Sequence, residues 1–497
     1  MIATVLSFGV SLGISFFLSP YMVKTLGAEV YGFIPLINNF INIMQIVTVA
    51  INSMASRFIT ISFFRKEYEK ANKYFSSVLI ANIVICVILI IPVSFVILFV
   101  DKVFSVPAGY LRDVQISFAI LMLNFVISVS GSVFSVGTFV ANRLELSSLR
   151  SIVAQSLRAF SIIALFLLFN PSIVLVVIST FSATIYTVVT NMRLTKKLVP
   201  ELKISRRNFD KNSIKELFGA GVWNSIGTLS YDLFTGLDLM IANIFISATA
   251  MGVLSVSKTL PSTINALVST IVSVFMPSLT QFYAKGEKQK ILDAFTDANK
   301  IMLLFIAPIL SFLIGFGDKF YSLWMPTLDS TTLQILSICA ILPLYLCIGS
   351  KGLANIFAVV NKIKVPTLVT LGLAVASTTT VFILLNFTQM GIYAIAIVSA
   401  VYLVIKEMIF VPIYSAKCLN VPFMSLFINV IKCAVIVVIC SAISYIFSSM
   451  VDATDWLSLI EWGIISSVAI CAFILLTLFK KSDYMKLLSK IKRNKKA

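Results

Sequence analysis

The stretch VYGFIPLINNFINIMQIVTVAINSMASRFIT, Val30 to Thr60, has a weak copy 220 residues later in the chain. The copy reads AMGVLSVSKTLPSTINALVSTIVSVFMPSLT, Ala250 to Thr280, and the two align without a gap, with Gly32 on Gly252. With a shift of 219 residues the register continues at two further pairs of positions: Gln115 with Gln334, and Asn142 with Asn361. The sequence therefore indicates an internal repeat.

Both copies belong to apolar segments that recur along the whole chain. Of its 497 residues 59% are hydrophobic and 12% are charged, whereas soluble domains carry about 25% charged residues. Apolar runs of this length can cross a hydrocarbon core of about 30 Å as helices, and a membrane barrel would show short alternating segments instead. We predict an all-α polytopic membrane protein with about 14 transmembrane helices. The predicted spans, numbered 1 to 14, are 2–21, 31–55, 76–100, 114–141, 151–169, 172–192, 217–246, 250–280, 301–317, 333–360, 366–386, 391–414, 425–448 and 458–479.

The repeat places its two copies in spans 2 and 8. Six spans separate them, so both start on the same side of the membrane and are related by a pseudo-two-fold axis along the membrane normal. We predict an N-terminal six-helix bundle over 1–205, a C-terminal six-helix bundle over 206–423, and helices 13 and 14 with a basic cytoplasmic tail over 424–497. Transporters built from such repeats bind substrate near the midplane at the repeat interface.

Basic residues fall mostly in the connections of one side. The connections of the opposite side hold only four of them: Lys24, Lys102, Arg112 and Lys319. The positive-inside rule therefore predicts that both termini are cytoplasmic. It also accounts for most of the net charge of +18 without any nucleic-acid partner, and the basic tail is expected to rest on anionic membrane lipid.

A stripe of amides runs along span 2. Asn38, Asn42, Gln45 and Asn52 lie within about 80° of one another on a helical projection. The equivalent positions of span 8 are also polar: Lys258, Ser262, Asn265 and, close by, Ser269. Matched stripes in both halves favour the walls of a water-filled cavity, and interhelical hydrogen bonding is the alternative.

Ionisable residues inside the spans mark functional positions, because a charge at the bilayer centre costs about 2.5–3.5 kcal/mol on insertion scales. Asp232 and Asp238 lie in span 7, Lys258 in span 8, and Lys351 near the middle of span 10. Arg158 lies about two turns into span 5 and either faces the cavity or snorkels to the inner surface. For two residues near the inner end of span 12, snorkelling or local pairing is expected: Lys406 and Glu407.

Three stretches resemble bacterial polysaccharide flippases of the O-antigen and capsule type, within the multidrug/oligosaccharidyl-lipid/polysaccharide exporter superfamily. They are SPYMVKTLGAEVYGFIPL (Ser19–Leu36), MASRFITISFFRKEYEKANKYFSSVL (Met54–Leu79) and GLDLMIANIFISATAMGVLSVSK (Gly236–Lys258). The resemblance implies that the chain moves polyprenyl-diphosphate-linked oligosaccharide to the outer leaflet by alternating access. It further implies the bacterial cytoplasmic membrane, and a cationic cavity lined by helices 1, 2, 7 and 8. Here spans 1 and 2 depart from that pattern, because they carry no base inside the membrane before Arg57.

The expected site follows from these residues and this resemblance. Substrate-binding residues are expected to be Lys258, Lys351, Arg158, Asn38, Asn42, Gln45, Asn52 and Asn265. Asp238 and Asp232 are expected to be counter-ions or to bind a coupling Na⁺ or H⁺. We expect no catalytic residue, metal or other cofactor, and the chain lacks histidine.

The expectations also include further partners and alternative functions. A polysaccharide polymerase and chain-length machinery are expected as further partners. The alternatives are a cation-coupled multidrug antiporter of the same superfamily and a flippase for a lipid-linked peptidoglycan precursor. A membrane enzyme such as a polymerase is disfavoured by the absence of histidine and of a large outer domain.

Overall fold

The computed structural model describes residues 2–479, and every regular element in that range is a helix. The predicted basic tail beyond Phe479 lies outside the described residues. The α-helices are α1 (Ile2–Leu26), α2 (Ala28–Phe64), α3 (Tyr68–Leu98), α4 (Val100–Val103), α5 (Leu111–Gly131), α6 (Val136–Val140), α7 (Leu144–Leu168), α8 (Ile173–Leu198), α9 (Lys211–Thr235), α10 (Leu237–Phe245), α11 (Ala248–Ala284), α12 (Lys288–Gly315), α13 (Gly317–Trp324), α14 (Ser330–Cys347), α15 (Asn355–Val359), α16 (Lys364–Phe387), α17 (Ile392–Ile405), α18 (Val411–Leu419), α19 (Phe423–Ser449) and α20 (Trp456–Leu478).

Twelve helices of the described range are long and apolar enough to cross a membrane. Leu12–Leu26, which belongs to α1, is a shorter apolar helical segment. The all-α polytopic fold is therefore confirmed. Helices cover each of the 14 predicted spans. Of the pair in span 7, however, α9 with 25 residues is not apolar enough and α10 with 9 residues is too short. The count of 14 membrane helices stays a prediction.

Several helices begin well before the predicted span, because hydropathy detects only the apolar part of a helix that continues into polar surroundings. α12 begins at Lys288, whereas its span was predicted from residue 301. α9 begins at Lys211 because the Asp210 side chain accepts hydrogen bonds from the amides of Asn212 and Ser213, as an N-cap does. Hydrogen bonds from Ser213 and from these amides hold the pKa of Asp210 below its usual range.

The chain forms two compact units. Unit 1 comprises residues 1–256 and 367–392, and unit 2 comprises residues 257–366 and 393–497. Each unit has its own apolar core: Ile59, Tyr74, Phe75, Phe134 and Leu217 are central in unit 1, and Leu279, Phe295, Phe357, Leu426 and Val430 in unit 2. The predicted domain boundaries at 205 and 423 describe the repeat rather than this packing, and they stay predictions.

The repeat is visible in the backbone. α2 and α11 both contain 37 residues. Each is followed by a turn with one left-handed residue, Lys66 at φ 63° and Gly286 at φ 70°, 220 positions apart. A second left-handed pair, Asn142 at φ 52° and Asn361 at φ 56°, ends the fourth helix of each copy.

Equivalent side chains also make equivalent contacts in the two copies. The Gln115 amide donates to the Ile97 carbonyl over 3.2 Å, and the Gln334 amide donates to the Ile314 carbonyl over 3.0 Å. A side-chain amide that satisfies a backbone carbonyl inside an apolar bundle is difficult to replace. The pair therefore supports the internal repeat at the level of specific bonds.

Equivalent residues even meet one another within unit 1, at the first turns of α2 and α11. A Cβ atom on Gly32 would lie 3.0 Å from the Gly252 Cα, so the two helices approach with no room for a side chain. Beside them the Thr249 hydroxyl donates to Glu29, and these positions are again 220 apart. Self-contact between equivalent residues is expected where a two-fold axis passes, as the fold prediction requires.

Candidate functional site

The fourth helix of each repeat copy is interrupted at the same place. In the first copy α5 ends at Gly131, and a 3-10 turn over Ser132–Ser135 leads to α6. In the second copy α14 ends at Cys347, and a 3-10 turn over Ile348–Ser350 precedes Lys351 and α15. Broken helices in corresponding positions of two repeats mark the ligand sites of many transporters. The two interruptions are therefore candidate parts of a binding site.

In the first copy the interruption is filled by neutral amides. Asn82, which is fully buried, donates to the Val129 carbonyl over 3.0 Å and exchanges 3.0 Å bonds with the Asn52 amide. The Ser132 hydroxyl donates to the same Asn52 side chain over 3.1 Å. Asn52 thus connects α2 to α3 and to the 3-10 turn after α5. Its side chain therefore has the interhelical role that was the alternative to lining a cavity.

The remaining amides of the predicted stripe are more accessible. Asn38 and Asn42 are exposed and Gln45 is half-buried. Asn38 donates only to the Ile34 carbonyl of its own helix, over 2.9 Å. An exposed amide inside a membrane helix is costly against lipid and inexpensive against water. These three residues therefore remain candidate ligands for a polar substrate.

The neighbouring edge of α2 is sealed against α9. A Cβ atom on Gly221 would lie 1.9 Å from the Ala50 carbonyl oxygen. The Ser225 hydroxyl donates to the Ile46 carbonyl over 2.6 Å, and the Asn39 amide donates to the Gly236 carbonyl over 3.3 Å. Small residues let the two backbones approach this closely. The seam fixes the orientation of α2 and thus the direction of its amide stripe.

The two acids of span 7 lie on separate helices. α9 ends at Thr235, and Asp238 lies in the first turn of α10 beyond Gly236. Asp238 is buried, with 5% of its surface exposed. Asp232 is half-buried, and its Oδ2 atom is buried without a hydrogen-bond partner among the described residues. Because of the break at Gly236, these acids do not share the single helix that the sequence suggested.

Arg158 lies on α7. This helix begins at Leu144, seven residues before the predicted span, and Arg158 lies about 21 Å from that end along the helix. Its Nε atom is buried and has no hydrogen-bond partner among the described residues. A buried guanidinium donor without a partner is a candidate anion ligand.

α11 carries Lys258 and Asn265 on either side of Pro261. Both side chains are half-buried, and the Asn265 amide donates to the Pro261 carbonyl over 3.0 Å. Pro261 cannot donate to the Ser257 carbonyl, and that carbonyl instead accepts a 2.8 Å bond from Ser337. The helix therefore continues through the proline without an orphaned carbonyl at this point.

In the second copy the interruption is charged. Lys351 lies directly after the 3-10 turn, with its Nζ atom 3.6 Å from Oε2 of Glu407. Lys406 lies 3.4 Å from Oε1 of the same carboxylate, so the predicted local pairing of these two neighbours is confirmed. Lys351, which the sequence predicts as a substrate ligand, is thus also an ion-paired residue.

Two residues of these networks were not singled out as site residues. In the sequence, Asn82 is a single polar residue in an apolar span. Asn299 occupies a similar place in the second copy and donates to the Gly349 carbonyl over 3.2 Å. The presence of an asparagine at a similar place in both copies was the sequence signal that could have identified Asn82. The sequence connects Glu407 only with its neighbour Lys406, and no sequence pattern connects it with Lys351.

Comparison with known proteins identifies a family and a relative that match this chain. The model of a family described as polysaccharide biosynthesis protein matches residues 1–283. The uncharacterized membrane protein EpsK of Bacillus subtilis (strain 168) is 30% identical over 499 residues, which span 100% of this chain and 98% of EpsK.

Solved structures with the same fold include a lipid flippase and multidrug transporters. The lipid II flippase MurJ, in an inward closed conformation, matches with a TM-score of 0.65 at 14% identity, over 96% of this chain and 99% of MurJ. An inward-facing multidrug resistance MATE family transporter of the MOP superfamily matches with a TM-score of 0.62 at 15% identity, over 83% of this chain and 94% of its own. A MOP superfamily transporter from Pyrococcus furiosus matches with a TM-score of 0.62 at 13% identity, over 84% and 95%. At these identities the likeness establishes the fold alone, which is that of a multi-pass membrane protein.

Proposed function

This chain belongs to the polysaccharide biosynthesis protein family, and from that premise we propose that it is a flippase for polyprenyl-diphosphate-linked oligosaccharide. The substrate would move from the inner to the outer leaflet of the bacterial cytoplasmic membrane by alternating access. Both chain termini would be cytoplasmic. A polysaccharide polymerase and chain-length machinery are the proposed partners.

The observation that carries this proposal is the extent of the fold match. The MATE structure covers 83% of this chain while using 94% of its own. The lipid flippase covers 96% of this chain. The portion without a counterpart in the multidrug transporter therefore has one in a protein that handles a lipid-linked substrate.

The chemistry of the substrate fits the residues described above. A diphosphate diester carries about two negative charges and cannot cross hydrocarbon without replacement of its water. Lys258, Lys351 and Arg158 would supply charge-assisted hydrogen bonds to the phosphates. The amides of five residues would bind sugar hydroxyls or support the cavity wall: Asn38, Asn42, Gln45, Asn52 and Asn265.

The test is lipid-linked oligosaccharide flipping by the purified protein in proteoliposomes, together with polysaccharide export in cells. We expect the double variant Lys258→Ala, Lys351→Ala to lose most activity. A matched double variant of exposed bases, Lys196→Ala with Lys285→Ala, should retain it. Unchanged flipping by the first variant, in a well-expressed protein, would refute the assignment of these lysines.

Two alternatives are distinguished by the substrate offered. A cation-coupled multidrug antiporter of the same superfamily is favoured by the MATE fold match and by the partnerless Oδ2 atom of Asp232. It predicts drug efflux that depends on Asp232 or Asp238 with a coupling Na⁺ or H⁺. A flippase for lipid-linked peptidoglycan precursor is favoured by the MurJ match, and it predicts flipping of that lipid in preference to other lipid-linked glycans.

A further inference from the structure

Three charges of unit 2 meet at one buried carboxylate. Glu407 is 7% exposed, and its two oxygens face two different ammonium groups, Lys351 at 3.6 Å and Lys406 at 3.4 Å. Ser350 adds a 3.2 Å hydrogen bond to Oε2. Two cations share one anion, so the cluster carries a surplus of one positive charge.

The backbone on both sides of this cluster departs from a regular α-helix. Lys406–Phe410 forms a π-helical segment between α17 and α18, and Lys351 lies in the interruption between α14 and α15. Single π turns inside α-helices are frequent at functional sites. Here the π segment brings Lys406 and Glu407 to the broken helix, and thereby assembles the cluster.

Both ammonium groups have hydrogen-bonding capacity to spare. Charge-assisted N–H···O bonds are about 2.7–2.9 Å long, and both ion-pair distances exceed that range. Each ammonium carries three donors, and within residues 2–479 Glu407 is the only ion-pair partner of either lysine. The side chains of Lys351 and Lys406 are 21% and 19% exposed, against 10% for Glu407. A ligand can therefore reach the ammonium groups more readily than the carboxylate.

We propose that Lys351, Lys406 and Glu407 form a proton-linked anion site, in which the lysines bind a diphosphate and Glu407 takes up one proton as it binds. This inference rests on the proposed function, because it identifies the diphosphate as the anion. It adds Lys406 as a ligand and gives Glu407 a role in coupling.

Charge balance is the physical reason why Glu407 would take up a proton when the diphosphate binds. The resting cluster carries one net positive charge, and a diphosphate diester with two negative charges would turn it into a net negative charge. Transfer of one proton from water to the Glu407 carboxylate restores neutrality, which a poorly solvated site favours strongly. The other titratable group facing Glu407 is the Cys347 thiol, which is neutral when protonated and does not change this count.

The sign of the pH dependence follows. A protonated Glu407 no longer repels the bound anion, so affinity rises as pH falls and declines as pH rises. One fully linked proton changes the dissociation constant by up to about tenfold per pH unit.

The test measures binding of a farnesyl-diphosphate-linked monosaccharide to the full chain in phosphatidylcholine nanodiscs, by calorimetry at pH 6 and pH 8. This diester keeps its two charges across that range, and two buffers of different ionisation enthalpy report the number of protons taken up. We expect tighter binding at pH 6 with uptake approaching one proton. Glu407→Gln should bind equally well at both pH values with no uptake. Lys351→Gln combined with Lys406→Gln should weaken binding at least tenfold.

The matched control is Glu461→Gln, which removes an exposed acid of α20 in the same unit and should behave as the wild type. UDP-glucose serves as a water-soluble diphosphate diester. Equal affinity for UDP-glucose and the farnesyl probe supports a site that recognises the diphosphate alone. A preference for the farnesyl probe supports a lipid-linked diphosphate as the ligand.

Several outcomes decide the inference. Wild-type binding without proton uptake, or uptake that persists in Glu407→Gln, overturns it and leaves the flippase proposal intact. If Glu407→Gln does not fold, equal wild-type affinity at the two pH values overturns it in the same way. Absence of binding by the wild type at both pH values contradicts the diphosphate assignment itself.

Discussion

Two arginines on α7 differ in the hydrogen bonds of their Nε atoms, although the Nη2 atom of Arg150 is also buried without a hydrogen-bond partner among the described residues. Arg150 donates from Nε to the Leu146 carbonyl over 2.9 Å and from Nη1 to Asn191. Arg158, two turns further on, leaves its Nε atom buried without a hydrogen-bond partner among the described residues. A charge kept in such a position costs stability, and functional sites are where proteins tolerate that cost.

We expect Arg158→Leu to raise the melting temperature and to lower flipping. The reason is that the substitution removes a partly unsatisfied buried cation and, with it, a proposed phosphate ligand. Thermal unfolding in detergent and the proteoliposome assay measure the two effects. Arg150→Leu is the control and should lower the melting temperature, since its bonds are lost; a loss of stability in both variants would argue for a purely structural Arg158.

Asn82 is a second residue whose environment defines a measurable role. Asn82→Ala removes the bonds to Val129, Asn52 and Ser132. Leaving buried polar groups unpaired costs about 1–3 kcal/mol, so unfolding should occur at a clearly lower temperature. Asn38→Ala, which removes an exposed amide bonded only within its own helix, should leave the melting temperature nearly unchanged. Equal effects of the two substitutions would contradict the network.

At the scale of elements, the contact between α2 and α9 depends on one missing side chain. Gly221→Ala would place a methyl group 1.9 Å from the Ala50 carbonyl oxygen. Overpacking of this kind costs about 1–3 kcal/mol, so we expect lower stability and wider separation of the helices, measured by thermal unfolding and by spin-label distances.

Gly219→Ala is the matched control for this seam. No atom lies within 4 Å of the added methyl group, and alanine is the better helix former by about 1 kcal/mol. Stability should therefore be unchanged or slightly higher. Equal loss in the two variants would show that the seam is not the cause.

The proline of α11 allows a second experiment on an element. Ser337 donates to the carbonyl of Ser257, the group that Pro261 leaves without its helical partner. We expect Ser337→Ala to destabilise the protein by about 1–3 kcal/mol, and by much less in a Pro261→Ala background, where the helix can satisfy that carbonyl itself. Additive effects in this double-mutant cycle, followed by thermal unfolding, would contradict the explanation.

At the scale of the molecule, the last two helices are built into unit 2. A Cβ atom on Gly315 of α12 would lie 2.6 Å from the Ser444 hydroxyl of α19. One on Gly463 of α20 would lie 2.8 Å from the Phe312 ring. The Lys319 ammonium donates to the carbonyls of Ser448 and Val451 at the end of α19. The predicted addition of helices 13 and 14 is therefore a structural part of unit 2.

Truncation after Val421 should accordingly abolish the well-folded protein rather than remove an accessory. It would expose the faces of α12 and α14 that now contact α19. Size-exclusion chromatography in detergent and limited proteolysis report the result. Removal of residues 481–497 alone leaves those contacts intact and should give a monodisperse protein; a stable product of the larger truncation would contradict this account.

The positions of the membrane helices can be predicted from the sequence, whereas the contacts of the site residues cannot. Apolar length and the 220-residue register locate the helices, because a backbone in hydrocarbon has to satisfy its own hydrogen bonds and a helix does so locally. Side-chain roles depend on neighbours that are distant in sequence. The sequence leaves open whether Asn52 lines a cavity or bonds other helices, and in the fold it bonds Asn82 and Ser132. It predicts Lys351 as a substrate ligand but does not reveal the pairing with Glu407.

Hydropathy and register are properties of the chain alone, and they suffice to predict an all-helical membrane protein with two repeat copies. Which buried groups bond one another depends instead on how the helices pack. The π segment at Lys406–Phe410 and the pairing of Lys351 with Glu407 leave no periodic trace in the sequence. They arise where packing between helices outweighs the local preference for a regular helix, and hydrogen bonds inside a bundle are formed between residues that only the fold brings together.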